Sequence, residues 1–214
     1  MKRSILTIAI ALIVSVTSFA NDNQKYYAIM GKTIKEMFAA KDAVGIQASL
    51  NTFERIAKAE GDKWEPAYYS AFAYLKLYEM AESVTDKDEM IDKAIASVNA
   101  GLKIAENEDE LIAMKGYAYM MKMVLDPMSR APEYSPVIIG SYQKALAIDP
   151  SNPRAWYLLG QMQLGTASFM GGSTDEGCGS ISKAVENFKN EKSENPIAPN
   201  WGSEAAEEAA KKCG

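Results

Sequence analysis

Apolar and aromatic side chains recur in this chain at an interval of 44 residues, from position 68 to 112 to 156. Tyr68-Tyr69-x-x-Phe72, Ile112-x-x-x-Gly116-Tyr117-x-Tyr119 and Trp156-Tyr157-Leu158-Leu159-Gly160 each open an apolar run. Val98 and Tyr142 keep the same interval, and each stands three residues ahead of a small one, Gly101 or Ala145. A fixed period of this size means stacked supersecondary units, each unable to bury its apolar face alone.

The units read as helices. Past Ala20 the chain is dominated by Ala, Leu, Met, Lys and Glu, and strand-like alternation is scarce. The breaks predict four helical hairpins, about 25–40 with 43–60, 66–82 with 87–104, 109–124 with 135–148, and 153–168 with 178–190. A last helix is expected over about 203–212. Ser203 caps it, Glu204 lies in its first turn, and Lys211 and Lys212 lie in its last, all favourable to the helix dipole. It would serve as the capping element of a solenoid. The fold class is all-α, a right-handed superhelix of αα-hairpins, in one domain over 21–214.

The third junction carries a family resemblance. Tyr142-Gln143-Lys144-Ala145-Leu146-Ala147-Ile148-Asp149-Pro150-Ser151-Asn152-Pro153-Arg154-Ala155-Trp156-Tyr157-Leu158-Leu159-Gly160 resembles the join between two tetratricopeptide repeats. Asn152 suits an N-cap and Pro153 the first helical position. Ala145 and Gly160 let helices approach closely, and Trp156 is expected between neighbouring hairpins. The usual repeat has about 34 residues. The extra ten are expected as insertions inside each hairpin, at Ser83–Met90, Leu125–Pro136 and Met170–Gly179. Asp149-Pro-x-Asn-Pro-Arg154, Gly171-Gly172 and Asn195-Pro-x-Ala-Pro-Asn-Trp-Gly202 are together similar to small secreted tetratricopeptide-like proteins of Bacteroidetes-type bacteria. That resemblance implies a fold and a compartment and leaves the activity open.

The N-terminus supports the same compartment. Lys2 and Arg3 precede an apolar run from Ile5 to Val16, then Ser18-Phe19-Ala20, the three regions of a secretory signal peptide. Residues 1–20 are therefore read as a cleaved leader, and the location as periplasmic or secreted from a bacterium. In an oxidising compartment Cys178 and Cys213 are expected to pair. Their loop is worth about 3–4 kcal/mol in the chain-entropy model. The net charge of −5, without a basic block, argues against nucleic acid as a partner. No membrane insertion is expected after the leader is removed.

The chain has no histidine. That removes the Ser-His-Asp triad, the Cys-His dyad and every His-ligated metal. No cofactor and no metal site are expected, and the chain is not read as an enzyme. The leading expectation is a binding protein that holds a partner protein or peptide on its concave surface, with Tyr119, Arg130, Trp156 and Tyr157 near it. The alternative is a small-molecule carrier associated with a transporter, with an enclosed pocket and convergent polar groups around Gly171, Gly172 and Arg130. A His-free enzyme using Cys178 comes last. Met114, Met120, Met121, Met123 and Met128 cluster, and thioethers could ligate Cu(I), but Met114, Met121 and Met128 follow a seven-residue spacing, as core packing would. The acidic run Glu106, Glu108, Asp109 and Glu110 is expected as a solvated turn.

Overall fold

The computed structural model describes residues 23–213. Among them are nine helices and no strand. α1 covers 23–39. It is followed by α2 (Ala43–Ala59), α3 (Glu65–Met80), α4 (Val84–Ile104), α5 (Asp109–Val124), α6 (Pro127–Ile148), α7 (Pro153–Met170), α8 (Asp175–Asn190) and α9 (Ser203–Lys211). The leader lies outside the described residues.

Local chemistry sets most of these boundaries. Asp42 caps α2 by accepting the Gly45 amide at 2.8 Å. Ser83 accepts the Asp86 amide at 3.0 Å and donates its hydroxyl to the Asp86 carboxylate at 2.6 Å. Asn152 accepts the Ala155 amide at 2.7 Å, with Pro153 next to it at the first helical position. α7 ends at Gly171, whose φ of 72° is left-handed and suited to glycine.

Most of the expected insertion residues are helix instead, and only residues 171–174 form a loop of any length. α4 starts at Val84, α6 at Pro127 and α8 at Asp175, so the extra residues lengthen the second helix of each hairpin. Leu125–Pro136 misled because it holds three prolines. Pro127 sits at the start of α6, where no amide is needed, and Asp126 caps it. Pro132 and Pro136 lie inside the helix, four residues apart and both exposed. The carbonyls that they leave without an intrahelical donor belong to Met128 and Pro132, also exposed residues that water can reach.

The hairpins stack as the period requires. α3 touches α5 and α5 touches α7, whereas α4 and α6, and α6 and α8, make no comparable contact. α3, α5 and α7 therefore form the inner layer of the superhelix. Close approach within hairpins depends on glycine. A Cβ on Gly116 would lie 2.4 Å from the Tyr142 ring, and one on Gly160 would lie 2.8 Å from Ile181. α3 carries apolar residues on both faces, as its sequence predicts, because it is sandwiched among α2, α4 and α5.

The chain's last fifth behaves unlike a simple cap. α9 packs on α8, and Cys178 and Cys213 form a disulfide with a Cα–Cα separation of 5.6 Å. Between α8 and α9, residues 191–202 run back across the inner layer. The Tyr69 hydroxyl donates to the Ile197 carbonyl at 2.8 Å, and the Trp201 indole donates to the Tyr68 hydroxyl at 2.8 Å. The Trp201 ring also packs between Phe72 and Tyr117, at centroid distances of 5.1 and 5.9 Å.

Candidate functional site

The inner layer has two halves of different character. At the N-terminal turns of α3, α5 and α7 it is closed by residues 191–202 and by a buried polar network. Arg154, with 4% of its side chain exposed, donates from Nε to Glu110 at 2.7 Å. Its other nitrogens reach Glu191 and the Trp201 carbonyl. Asn152 donates to Glu110 at 3.0 Å, and Tyr68 donates to it at 3.4 Å. Asn195 donates to Glu65 at 3.1 Å, as does the Tyr26 hydroxyl. The acidic run is thus not wholly a solvated turn, because Glu110 is buried. Burial pushes the Glu110 carboxyl up to about 7 against the pull of Arg154. Burial, then the negative charges of Asp109 and Glu110, pushes Glu108 to about 7. A polar cleft of about 520 Å³ opens beside this network. Glu110, Asn152 and Arg154 in its wall are held by one another, which makes it part of the seal.

The C-terminal halves of α5 and α7 are open. They frame a cleft of about 310 Å³ with the first turns of α6. Met120, Met123 and Val124 come from α5, and Pro127 and Ala131 from α6. Met162, Gly165, Phe169 and Met170 come from α7. Among the described residues only three polar side chains line it, Ser135, Gln161 and Thr166. The Thr166 hydroxyl is turned onto its own helix, donating to the Met162 carbonyl at 2.8 Å. The Ser135 hydroxyl lies 3.5 Å from the Met123 sulfur. A Cβ on Gly165 would meet no atom within 4 Å, so this glycine leaves the cleft floor clear. The lip is exposed and apolar, with Phe169 at 62% and Met170 at 76%. A concave apolar site with a few polar groups is the usual form of a small-molecule site.

The sequence candidates distribute unevenly. Tyr119 and Tyr157 are half-buried and pack on the Met120–Tyr142–Leu158–Met162 cluster beneath the cleft. Tyr119 also meets the Tyr134 ring at 5.6 Å. Arg130 forks onto Asp88 at 2.7 and 2.6 Å and onto the Lys122 carbonyl at 2.9 Å, away from the cleft. That pairing holds Asp88 below the usual carboxylate range. Trp156 does not fill the space between hairpins. Its indole donates to the Pro150 carbonyl at 2.9 Å, and the Lys183 ammonium of α8 lies 4.2 Å from its ring. Gly171 ends α7 and Gly172 follows it, and neither lines the cleft, although their neighbour Met170 does. The disulfide ties up Cys178 and so removes the nucleophile of the enzyme reading.

Sequence reasoning missed the methionine cleft. Met128 is exposed rather than core, and Met123 lines the cleft while Met114 is buried. The seven-residue spacing treats α5 and α6 as one helix, yet a turn at Leu125 and Asp126 separates them. The Arg154–Glu110 pair was also missed, although a signal existed. The two residues sit 44 apart, at equivalent repeat positions with opposite charge.

This architecture is that of an α-solenoid of tetratricopeptide type, and the chain carries one repeat that the family model recognises. The tetratricopeptide repeat family model matches residues 139–165. Among solved structures, the HusA haemophore from Porphyromonas gingivalis aligns with a TM-score of 0.77 at 22% identity, covering 88% of this chain and 92% of that one. A thermophilic tetratricopeptide-repeat protein of Thermus thermophilus aligns with a TM-score of 0.55 at 15% identity, covering 82% of this chain and 89% of that one. No curated protein matches the sequence. No described helix is long and apolar enough to cross a membrane.

Proposed function

We propose that the protein is an exported carrier whose methionine-lined cleft holds a flat, largely apolar molecule of the tetrapyrrole class. The cleft carries this reading. Its walls are apolar on three helices, its lip is exposed, and Gly165 keeps its floor clear. Apolar burial supplies the affinity of such a site. The likeness to a haemophore supports the choice of cargo. The leader read in residues 1–20 and the disulfide support export, to the periplasm or beyond it.

A partner protein is the second reading. Met80 and Val124, and Val84 and Met128, are pairs 44 residues apart that stand exposed at successive hairpin turns. They form an apolar edge that continues to the cleft lip. The inner concave surface fits a peptide less well, since residues 191–202 already cover part of it.

Titration of residues 21–214 with haem and with metal-free protoporphyrin tests the carrier reading. Saturable one-site binding to at least one of them, weakened at least about tenfold by Gly165→Trp, is expected. No binding, or binding that Gly165→Trp leaves unchanged, would overturn it.

A further inference from the structure

We infer that the edge formed by the α3–α4, α5–α6 and α7–α8 turns docks a partner protein whose apolar face is rimmed by lysine and arginine; this rests on the partner reading and is independent of the carrier reading. Met80 and Val84 flank the first of these turns, Val124 and Met128 the second, and Phe169 and Met170 end the helix before the third. All six are exposed and none belongs to a core cluster, so the fold gains little from them. A row of methionine, valine and phenylalanine left in water at successive repeats marks an interaction site. Val124, Phe169 and Met170 also line the cleft, so a partner seated on the row stands over the cleft mouth.

The surrounding charge selects the partner. Glu82, Asp86, Asp126, Asp175 and Glu176 are exposed beside the row. Each lies at or next to the start of α4, α6 or α8, where the helix dipole favours an acid. Among the described residues none of them forms an ion pair. Nearby cations are committed elsewhere. Lys76 pairs with Glu79 at 3.4 Å, Lys87 lies 5.6 Å from the Tyr78 ring centre, and Arg130 forks onto Asp88. Like charges facing each other oppose association, so a second copy docked edge to edge is disfavoured. Helices that lie on an anionic bilayer surround their apolar face with lysine and arginine, and this fringe has the opposite sign. An apolar face with a basic rim matches both the row and its fringe.

The test places a photo-crosslinking benzoylphenylalanine at Val84 or Val124, and for comparison at Ile104, in the full chain made in its native host. Ile104 is exposed at the other end of α4, on the opposite edge. One protein other than this chain is expected to crosslink from Val84 and Val124, and at least about tenfold less from Ile104. Glu82→Lys combined with Glu176→Lys is expected to lower that yield at least about tenfold, with thermal melting close to the parent's. Raising the salt to about 0.5 M, which needs no variant, should lower it similarly by screening the fringe. Equal crosslinking from Ile104, adducts only with a second copy, or adducts only with lipid would overturn the inference. A partner that resists both salt and charge reversal would overturn it too, while leaving the partner reading standing. No protein adduct from any of the three positions would remove the partner reading with it. The protoporphyrin titration reads the carrier function separately, so its failure leaves this inference in place.

Discussion

The two halves of the inner layer are made from the same helices and have opposite fates. The N-terminal turns of α3, α5 and α7 meet the chain's own residues 191–202 through Trp201, Ile197 and the Arg154 network. The C-terminal halves of α5 and α7 meet no such segment and expose methionine and phenylalanine. One half is filled with partners that occur once in the chain and satisfy buried polar groups. The other is lined by adaptable side chains with little polar commitment. A solenoid thus devotes one stretch of its groove to its own integrity and leaves another for a ligand.

That contrast breaks first at Arg154. Arg154→Met strands Glu110 in the interior, and the expected loss is about 3–5 kcal/mol of unfolding free energy by chemical denaturation. Next comes the closure of the C-terminus. Replacing Cys178 and Cys213 by Ser should cost about 2–4 kcal/mol by the same measurement, with protease sensitivity appearing first in residues 191–202. Neither change touches the cleft, so ligand affinity measured on the folded fraction should hold.

Gly165→Trp sharpens the comparison from the other side. Ligand affinity should fall about tenfold, while the melting temperature stays close to that of the parent, because the added ring enters open space.

Between pH 4.5 and 7 acidity acts on the sealed half. Glu108 and Glu110 have folded-state pKa values pushed to about 7, above their ordinary value of 4.5. Between those values the folded state holds more protons than the unfolded state, so stability falls as pH rises from about 4.5 to about 7. Asp88, held low, does not oppose this, since its own contribution is lost only below 3.8. Melting temperature followed across that range should decline, and Glu110→Gln should flatten the slope. The smallest effect is expected at Arg130, whose partly exposed fork onto Asp88 is worth about 1 kcal/mol at most. Arg130→Ala, followed by thermal melting, should leave ligand affinity unchanged.

What was legible in the sequence was local or periodic. The Asn152-Pro153 start of α7 and the order of hairpins follow from capping chemistry and the 44-residue period, and the helices lie within a few residues of expectation except at the starts of α4, α6 and α8. Those starts were hidden because proline and polar residues read as breaks, whereas Asp126-Pro127 begins a helix and Pro132 and Pro136 face water. The seal was illegible for another reason. Trp201 meets Tyr68 across 133 residues and Tyr69 meets Ile197 across 128, and no local pattern encodes such distances. The cleft was illegible because it depends on where α5 ends relative to α7, which the turn at Leu125 and Asp126 decides. Gly171 and Gly172 pointed to the right neighbourhood for the wrong reason, since the adjacent Phe169 and Met170 line the cleft.

The two halves can be read apart in one spectrum. Residues 21–214, carrying isotope-labelled methionine methyls and tryptophan indoles, would be titrated with metal-free protoporphyrin and followed by nuclear magnetic resonance. Shifts of the Met123, Met162 and Met170 methyls, with the Trp201 indole proton unmoved, are the predicted result. Movement of the Trp201 indole with the methionine methyls unchanged would place the ligand in the sealed groove and contradict the division proposed for this molecule.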